Sequence, residues 1–225
     1  MAEQERNETC ALTVKRKRIM IYFIEATQKL IRTDGVDGLS IRKIANEAGY
    51  NSATIYNYFR DLEHLTLFGS VCYLRDYVIA LSKSLKPEMS SLDRFRTIYR
   101  CFNEIAFQHP DIFHNMFFGR HSEMMGEVLH IYYSDLFPEE LAGFSAPLRQ
   151  MMLSGSMLER DRVTMQDMVV EGFVAPEKAD ITLRLIVAVH QNFIYEACIH
   201  GDSLDCEAHK QKFSEMLEYI LAQAK

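Results

Sequence analysis

The stretch LSIRKIANEAGYNSATIYNYF, Leu39 to Phe59, decides the fold, because it has the pattern of two short helices joined by a turn. Ser40 is placed to cap the first helix, about residues 41–48, by accepting a hydrogen bond from a free backbone NH. Gly49 allows a tight turn, and the second helix is expected to end near Phe59. The stretch therefore predicts a helix-turn-helix that binds DNA.

The second helix of this pair has two distinct faces. At an advance of ~100° per residue, Ile55, Tyr58 and Phe59 fall together and form a buried face. The opposite face can enter the major groove, where an Asn side chain pairs with adenine and hydroxyl groups bond phosphates. This face consists of Ala53, Thr54, Tyr56, Asn57 and Arg60. Together with Ser40 and Ser52 at the helix starts and with Lys17 and Arg42, these are the predicted DNA-binding residues.

The charge of the chain is divided unevenly along its length. Residues 1–60 hold ten Lys and Arg against seven Asp and Glu, whereas residues 61–225 hold fifteen against twenty-four, within a total of −6. Residues 1–60, the head, are therefore basic, and residues 61–225, the body, are acidic. This division directs affinity for phosphate to the N-terminal end of the chain. The basic arm at residues 15–18 fits a solvated run as well as it fits a DNA contact.

Helical spacing recurs along almost the whole chain, and alternating strand patterns are missing, which predicts an all-α protein. The expected division is an N-terminal three-helix DNA-binding domain at residues 1–60 and a larger helical domain at residues 61–225. The expected helices cover about 15–33, 41–48, 52–59, 61–85, 91–108, 111–118, 124–137, 146–171 with a possible break near Gly155, 176–200 and 204–223.

The segments that would indicate secretion or a membrane are not evident in the sequence. The longest uninterrupted apolar run, Ile19 to Ile24, is far below the ~20 residues of a membrane span, and the first ten residues, MAEQERNETC, are polar and acidic. The five cysteines are scattered without a CxxC pair, so neither a disulfide framework nor a zinc site is indicated. We therefore expect a cytoplasmic protein without a membrane partner.

Residues 18–65 resemble the DNA-binding domain of the TetR/AcrR family of regulators. The family pattern of Gly plus an apolar residue, S/T-hydrophobic-x-x-I-A-x-x-A-G and T-[LI]-Y-x-[YH]-F is present at residues 35–36, 40–49 and 54–59. Two positions depart from it: Ala53 replaces a usual Gly, and Leu62 replaces a usual phosphate-contacting Lys. We expect Arg60 or the basic arm to supply the missing phosphate anchor.

For the body, the resemblance implies an all-α domain that binds a small-molecule effector and dimerises through its last two long helices. Two amphipathic stripes fit such a four-helix interface. Their residues are Ile181, Leu185, Ala188, Asn192 and Tyr195, followed by Phe213, Met216, Leu217 and Ile220.

The middle helices are rich in aromatic and flexible side chains, which suit an adaptable apolar pocket, although such stripes more often form ordinary core. A polar residue within such a helix needs a partner if it is buried, either across a subunit interface or on a ligand. The candidate ligand-binding residues are Phe95, Tyr99, Phe102, Met116, Phe117, Met124 and His190.

These features predict a ligand-responsive transcriptional regulator that uses no cofactor or metal. A homodimer would place two recognition helices about 34 to 36 Å apart on a near-palindromic double-stranded operator. Repression, the usual mode of the resembled family, would end when a small apolar or aromatic effector binds. The alternative is a helical protein-interaction module whose helix-turn-helix is purely structural. An enzyme is not indicated, because the chain has one Glu-x-x-His, at Glu127 and His130, and no Gly-rich phosphate loop or GxSxG.

Overall fold

The computed structural model describes residues 12–225, so the acidic N-terminal segment analysed above lies outside the described residues. All regular elements within residues 12–225 are helical, which confirms the all-α prediction. The helices are α1 Val14–Asp34, α2 Ile41–Ala48, α3 Ser52–Ile55, α4 Leu62–Ser84, α5 Ser91–Ala106, α6 Pro110–Phe118, α7 Met125–His130, α8 Ala146–Leu153, α9 Met157–Val170, α10 Ala179–His200 and α11 Cys206–Ala222.

Each of the first three helices begins at a side-chain cap. Thr13 accepts a hydrogen bond from the NH of Arg16 at 3.3 Å, and Ser40 accepts one from the NH of Lys43 at 3.2 Å. The bounds of α2 are those expected from its sequence, because Ser40 starts the helix and Gly49, with φ 76°, ends it in the left-handed conformation.

Helix α3 is shorter than predicted. Its α-helical segment ends at Ile55, and the NH groups of Asn57 and Tyr58 then donate to carbonyls three residues back, at 3.2 and 2.9 Å. Such bonds tighten the last turn of a helix. The expectation of a regular helix up to Phe59 was therefore wrong, although the Phe59 NH still reaches the Ile55 carbonyl at 3.0 Å.

Helix α4 connects the first three helices to the body. It packs against α1 and α5, and Gly69 permits the close approach to α1, since a Cβ there would lie 2.6 Å from Thr27 Cγ2. By length and composition alone α4 is apolar enough to cross a membrane, which the expectation from apolar runs had missed. However, 67% of its most apolar window is buried in the protein, as in a core helix.

The body is built on contacts of α4 with α5, of α5 with α9, and of α10 with α6, α9 and α11. The expected break near Gly155 is confirmed, because α8 ends at Leu153 and α9 begins at Met157. At this break the backbone of Gly126 comes so close that a Cβ on Gly155 would lie 2.6 Å from the Gly126 nitrogen. The predicted single helix at 124–137 is instead α7 followed by a π-helical turn, Ile131–Leu136.

Two residues expected at the subunit interface are buried within the protomer instead. Phe213 and Leu217 are 1% and 3% exposed, and the Phe213 ring lies 5.3 Å from that of Tyr99. They pack α11 onto α5, which leaves Met216 and Tyr219 on the outer side of α11, 39% and 70% exposed.

Candidate DNA-binding face and internal cavity

The two faces of the recognition segment are those expected from its sequence. Ile55 and Phe59 are buried, while Ala53, Tyr56 and Asn57 are exposed. Tyr58 is half-buried, with the Arg16 guanidinium carbon 4.9 Å from the centre of its ring. The exposed face is available for contact with DNA, and such contact stays a prediction.

The remaining polar residues near this face have different surroundings. Ser40 uses its hydroxyl as the α2 cap, and Ser52 and Thr54 are half-buried in α3. Arg42 is exposed and makes no ion pair within residues 12–225, whereas Lys43 donates to Asp34 Oδ2 and to the Gly38 carbonyl, both at 2.8 Å. Arg42 is therefore the better placed of these two cations to meet a phosphate.

Two of the basic residues predicted to contact DNA are turned toward the body in this structure. Lys17 Nζ lies 2.8 Å from Asp135 Oδ1, in the π-helical turn. Arg60 Nη1 lies 3.4 Å from Met124 Sδ, and its Nη2 lies 3.9 Å from Glu127 Oε2. The junction also contains a hydrogen bond that the Gln28 amide donates to the Tyr132 hydroxyl at 3.2 Å. These contacts join the head to the body.

A further junction network around Asp61 was not predicted from the sequence. Asp61 Oδ1 caps α4 by accepting the His64 NH at 2.8 Å, and Asp61 Oδ2 lies 3.1 Å from His121 Nε2. Glu63 Oε2 lies 3.4 Å from the same nitrogen. The start of α4 is thus tied to the segment that precedes α7.

A buried polar cluster lies between α5, α9 and α10. The Tyr99 hydroxyl donates to Asp161 Oδ2 at 2.6 Å, and His190 Nε2 lies 2.7 Å from Asn103 Oδ1. Burial raises the pKa of the Asp161 carboxyl to about 6 and lowers the pKa of His190 to about 3. His190 is therefore neutral at physiological pH.

Arg160 occupies this region with its charge uncompensated by any ion pair within residues 12–225. Its side chain is buried, at 3% exposed, and neither Nη1 nor Nη2 has a hydrogen-bond partner. The guanidinium carbon lies 5.2 Å from the ring centres of Tyr77 and Phe117 and 5.6 Å from that of Phe102. Aromatic faces attract a cation but do not replace hydrogen bonds to its NH groups.

Arg160 also lines a cavity of about 620 Å³ between the end of α4, α5, α8 and α9. None of the seven predicted ligand-binding residues is on the wall of this cavity. Phe102 and Phe117 pack against the Arg160 guanidinium, Tyr99 and His190 belong to the polar cluster, and Met124 contacts Arg60 at the junction. Phe95 and Met116 are fully buried. The apolar wall consists of Leu81, Leu85, Ile98, Phe144, Leu148, Met151 and Val163.

The sequence contained a signal for Arg160 and Asp161. In α9 they fall on the same face as Met157, Met165 and Met168, at spacings of three, four, eight and eleven residues from Met157. Two adjacent charged residues on an apolar stripe indicate a buried polar site.

An exposed recognition segment on a small N-terminal bundle, joined to a helical body with a cavity that opens to the surface, defines a DNA-binding regulator of the helix-turn-helix class. Residues 23–67 match the family model for the DNA-binding domain of bacterial regulatory proteins, tetR family. This match confirms the resemblance for the N-terminal domain: residues 23–67 are a DNA-binding domain of the tetR family, and the chain has the fold of solved tetR-family regulators.

Solved structures of regulators share this fold over most of their length. RolR in complex with resorcinol has a TM-score of 0.61 at 18% identity, over 93% of this chain and 89% of its own. Thermus thermophilus FadR, a TetR family repressor in complex with lauroyl-CoA, has a TM-score of 0.58 at 13% identity, over 88% and 92%. A TetR-family regulator from Mesorhizobium loti has a TM-score of 0.54 at 15% identity, over 93% and 98%. No curated protein matches this chain by sequence. At these identities the likeness shows the fold alone.

Proposed function

We propose that the protein is a cytoplasmic, homodimeric repressor that leaves a near-palindromic operator when a small molecule binds in its body. This proposal rests on the exposed face that α3 forms together with the tight turn after it. Ala53, Tyr56 and Asn57 have no role in packing the head, and Tyr56 is 59% exposed. A large aromatic side chain with a free hydroxyl, next to an amide that can pair with adenine, suits the major groove and its phosphates.

The dimer is proposed to form through α10 and α11. The face of α10 that no other helix of residues 12–225 covers contains Ile181, Leu185 and Tyr195, which are 55%, 48% and 52% exposed. Met216 continues the apolar surface on α11 and shares a groove with Leu185. Pairing this face with its copy would bury it in a four-helix interface and set the distance between the two recognition segments.

The response to a ligand is proposed from the cavity that Arg160 lines. RolR and Thermus thermophilus FadR, which have the same fold, are known in complex with resorcinol and with lauroyl-CoA. A ligand that binds more tightly to a conformation with low operator affinity weakens operator binding. The operator then weakens ligand binding by the same coupling free energy.

The regulator proposal is tested by selecting a DNA site from random sequence and measuring its affinity over a range of salt concentrations. The affinity should fall steeply with salt, because counterions are released from neutralised phosphates. Asn57→Ala, which removes the proposed adenine contact, should weaken binding about tenfold or more, and Tyr56→Phe should weaken it by less. Gln166→Ala, which removes an exposed amide on α9, is the matched control and should bind as the wild type does.

If binding is insensitive to salt and both head variants bind as the wild type does, the helix-turn-helix is structural. The chain would then be a helical protein-interaction module.

A further inference from the structure

The guanidinium of Arg160 is buried, and its terminal nitrogens have no hydrogen-bond partner within residues 12–225. A cation removed from water is costly unless a counter-charge and hydrogen bonds compensate for it. Asp161, the next residue, does not provide them, because its Oδ2 accepts the Tyr99 hydroxyl at 2.6 Å and it forms no ion pair with Arg160. Both terminal nitrogens of Arg160 are buried without a hydrogen-bond partner within residues 12–225.

The cavity in front of Arg160 is positively charged, although the body around it is acidic. Its wall contains three basic residues, Lys86, Arg94 and Arg160, against one acidic residue, Asp167. Arg94 is partly neutralised, since its Nη2 lies 3.4 Å from Asp167 Oδ2 and 3.6 Å from Glu171 Oε1. A site of this polarity selects an anion.

The rest of the wall is apolar and limits the shape of the occupant. Side chains of α4, α5, α8 and α9 surround a volume of about 620 Å³, within the range of pockets that hold small organic molecules. Arg160 is on this wall, and its guanidinium lies against the rings of Tyr77, Phe102 and Phe117, which are outside the wall. An occupant therefore needs an apolar body and an anionic group directed at Arg160.

We infer that the effector is a small organic acid whose carboxylate pairs with the guanidinium of Arg160 while its apolar body fills the cavity. Two parallel N–H donors of one guanidinium match the two oxygens of a carboxylate in geometry and in charge. The inference rests on the proposed ligand response and gives it a chemical class. A neutral apolar effector would leave both donors unsatisfied.

The test compares acids with their amides on the full-length protein. Decanoate and 2-naphthoate, with decanamide and 2-naphthamide, are titrated by calorimetry. The wild type should bind each acid about 10- to 100-fold more tightly than its amide, the usual value of hydrogen bonds to a charged group. Arg160→Met keeps an unbranched side chain without the donors, and should abolish the preference for the acid. Lys83→Met makes the same charge change at an exposed position of α4 outside the cavity wall and should change the acid affinity less than about threefold.

A second measurement does not depend on the shape of the probes. Without any probe, Arg160→Met should unfold at the same temperature as the wild type or at a higher one, because an uncompensated buried charge has been removed. A marked drop would show that the fold itself satisfies the guanidinium, and would overturn the inference. Equal binding of acids and amides, the absence of acid binding, or an acid preference that survives in Arg160→Met would overturn it as well.

Operator binding separates this inference from the proposed function. If the acids bind through Arg160 without changing operator affinity, the carboxylate site stands and the proposed ligand response fails. If operator binding depends on Asn57 but no acid preference exists, the regulator stands and the carboxylate site fails.

Discussion

Single buried residues make the stability of the body depend on pH. His190 and Asp161 both contact Tyr99: the rings of Tyr99 and His190 are 5.1 Å apart, and Asp161 accepts the Tyr99 hydroxyl. Because burial lowers the pKa of His190 to about 3, the unfolded chain takes up a proton below pH ~6.5 that the folded chain does not. Stability from His190 is therefore lost as pH falls below ~6.5. The raised pKa of Asp161, about 6, acts in the opposite direction between pH ~4 and 6.

We expect His190→Gln to remove the first of these two effects. The variant keeps an amide that can reach Asn103 but no longer titrates. Between pH 6 and 4 its free energy of unfolding should fall less steeply than that of the wild type, with slopes that differ by up to about 1.4 kcal/mol per pH unit, the value for one proton. Urea denaturation at several pH values measures this difference. His200→Gln, at an exposed position, should keep the wild-type slope, and equal slopes for all three proteins would contradict the assignment.

The residues that could be predicted from sequence are those whose environment depends on local spacing. Ile55 and Phe59 are buried because helical period places them opposite Asn57. Lys17 was predicted as a DNA contact, but its partner Asp135 lies 118 residues away, and no local pattern indicates that pair. Arg160 was missed because a charged residue in a helix is usually assigned to solvent.

At the scale of elements, α7 and the break between α8 and α9 are joined by two glycines. Gly155 approaches the Gly126 backbone so closely that a side chain on Gly155 would overlap it, whereas a Cβ on Gly126 would lie 3.7 Å from Gly155 Cα, an ordinary contact. Ser154, next to Gly155, lines the cavity, and Glu127, next to Gly126, faces Arg60 of the head. The crossing thus lies between the cavity and the DNA-binding helices.

The asymmetry of this crossing gives a prediction for two similar substitutions. Gly155→Ala should destabilise the protein by about 1 to 3 kcal/mol, because the added methyl meets backbone atoms that cannot rotate away. Gly126→Ala should be neutral or stabilising by up to about 1 kcal/mol, since alanine favours a helix over glycine. Chemical denaturation of both variants checks this. A Gly155→Ala protein as stable as the wild type would show that the two backbones can separate.

The bounds of the elements were predictable where a cap or a glycine marks them. Ser40 and Gly49 determine both ends of α2, but nothing comparable marks the end of α3 after Ile55. The π-helical turn after α7 depends on tertiary packing, since Tyr132 and Tyr133 are both buried there. The turn itself, residues 131–136, contains neither proline nor glycine, so its sequence does not indicate it.

For the whole molecule, the dimer proposed through the apolar face of α10 and α11 would make the oligomeric state a condition of DNA binding. Leu185→Lys should raise the dimer dissociation constant at least tenfold, because the lysine would be buried against its own copy near the symmetry axis. Operator affinity should fall with it, since a monomer reaches only one half-site. Light scattering and operator titration measure the two effects. Val170→Lys, 78% exposed outside this face, is the control, and a Leu185→Lys dimer as tight as the wild type would exclude α10 from the interface.

The pair between Lys17 and Asp135 gives Lys17 an anionic partner within the protein. Asp135, 2.8 Å from Lys17 Nζ, already neutralises part of the charge that a phosphate would meet, so the protein carries an internal competitor for one of its predicted DNA contacts. If Lys17 meets the operator, it exchanges one anionic partner for another rather than gaining a new one. Counting the basic residues of the head would then overestimate its attraction for DNA.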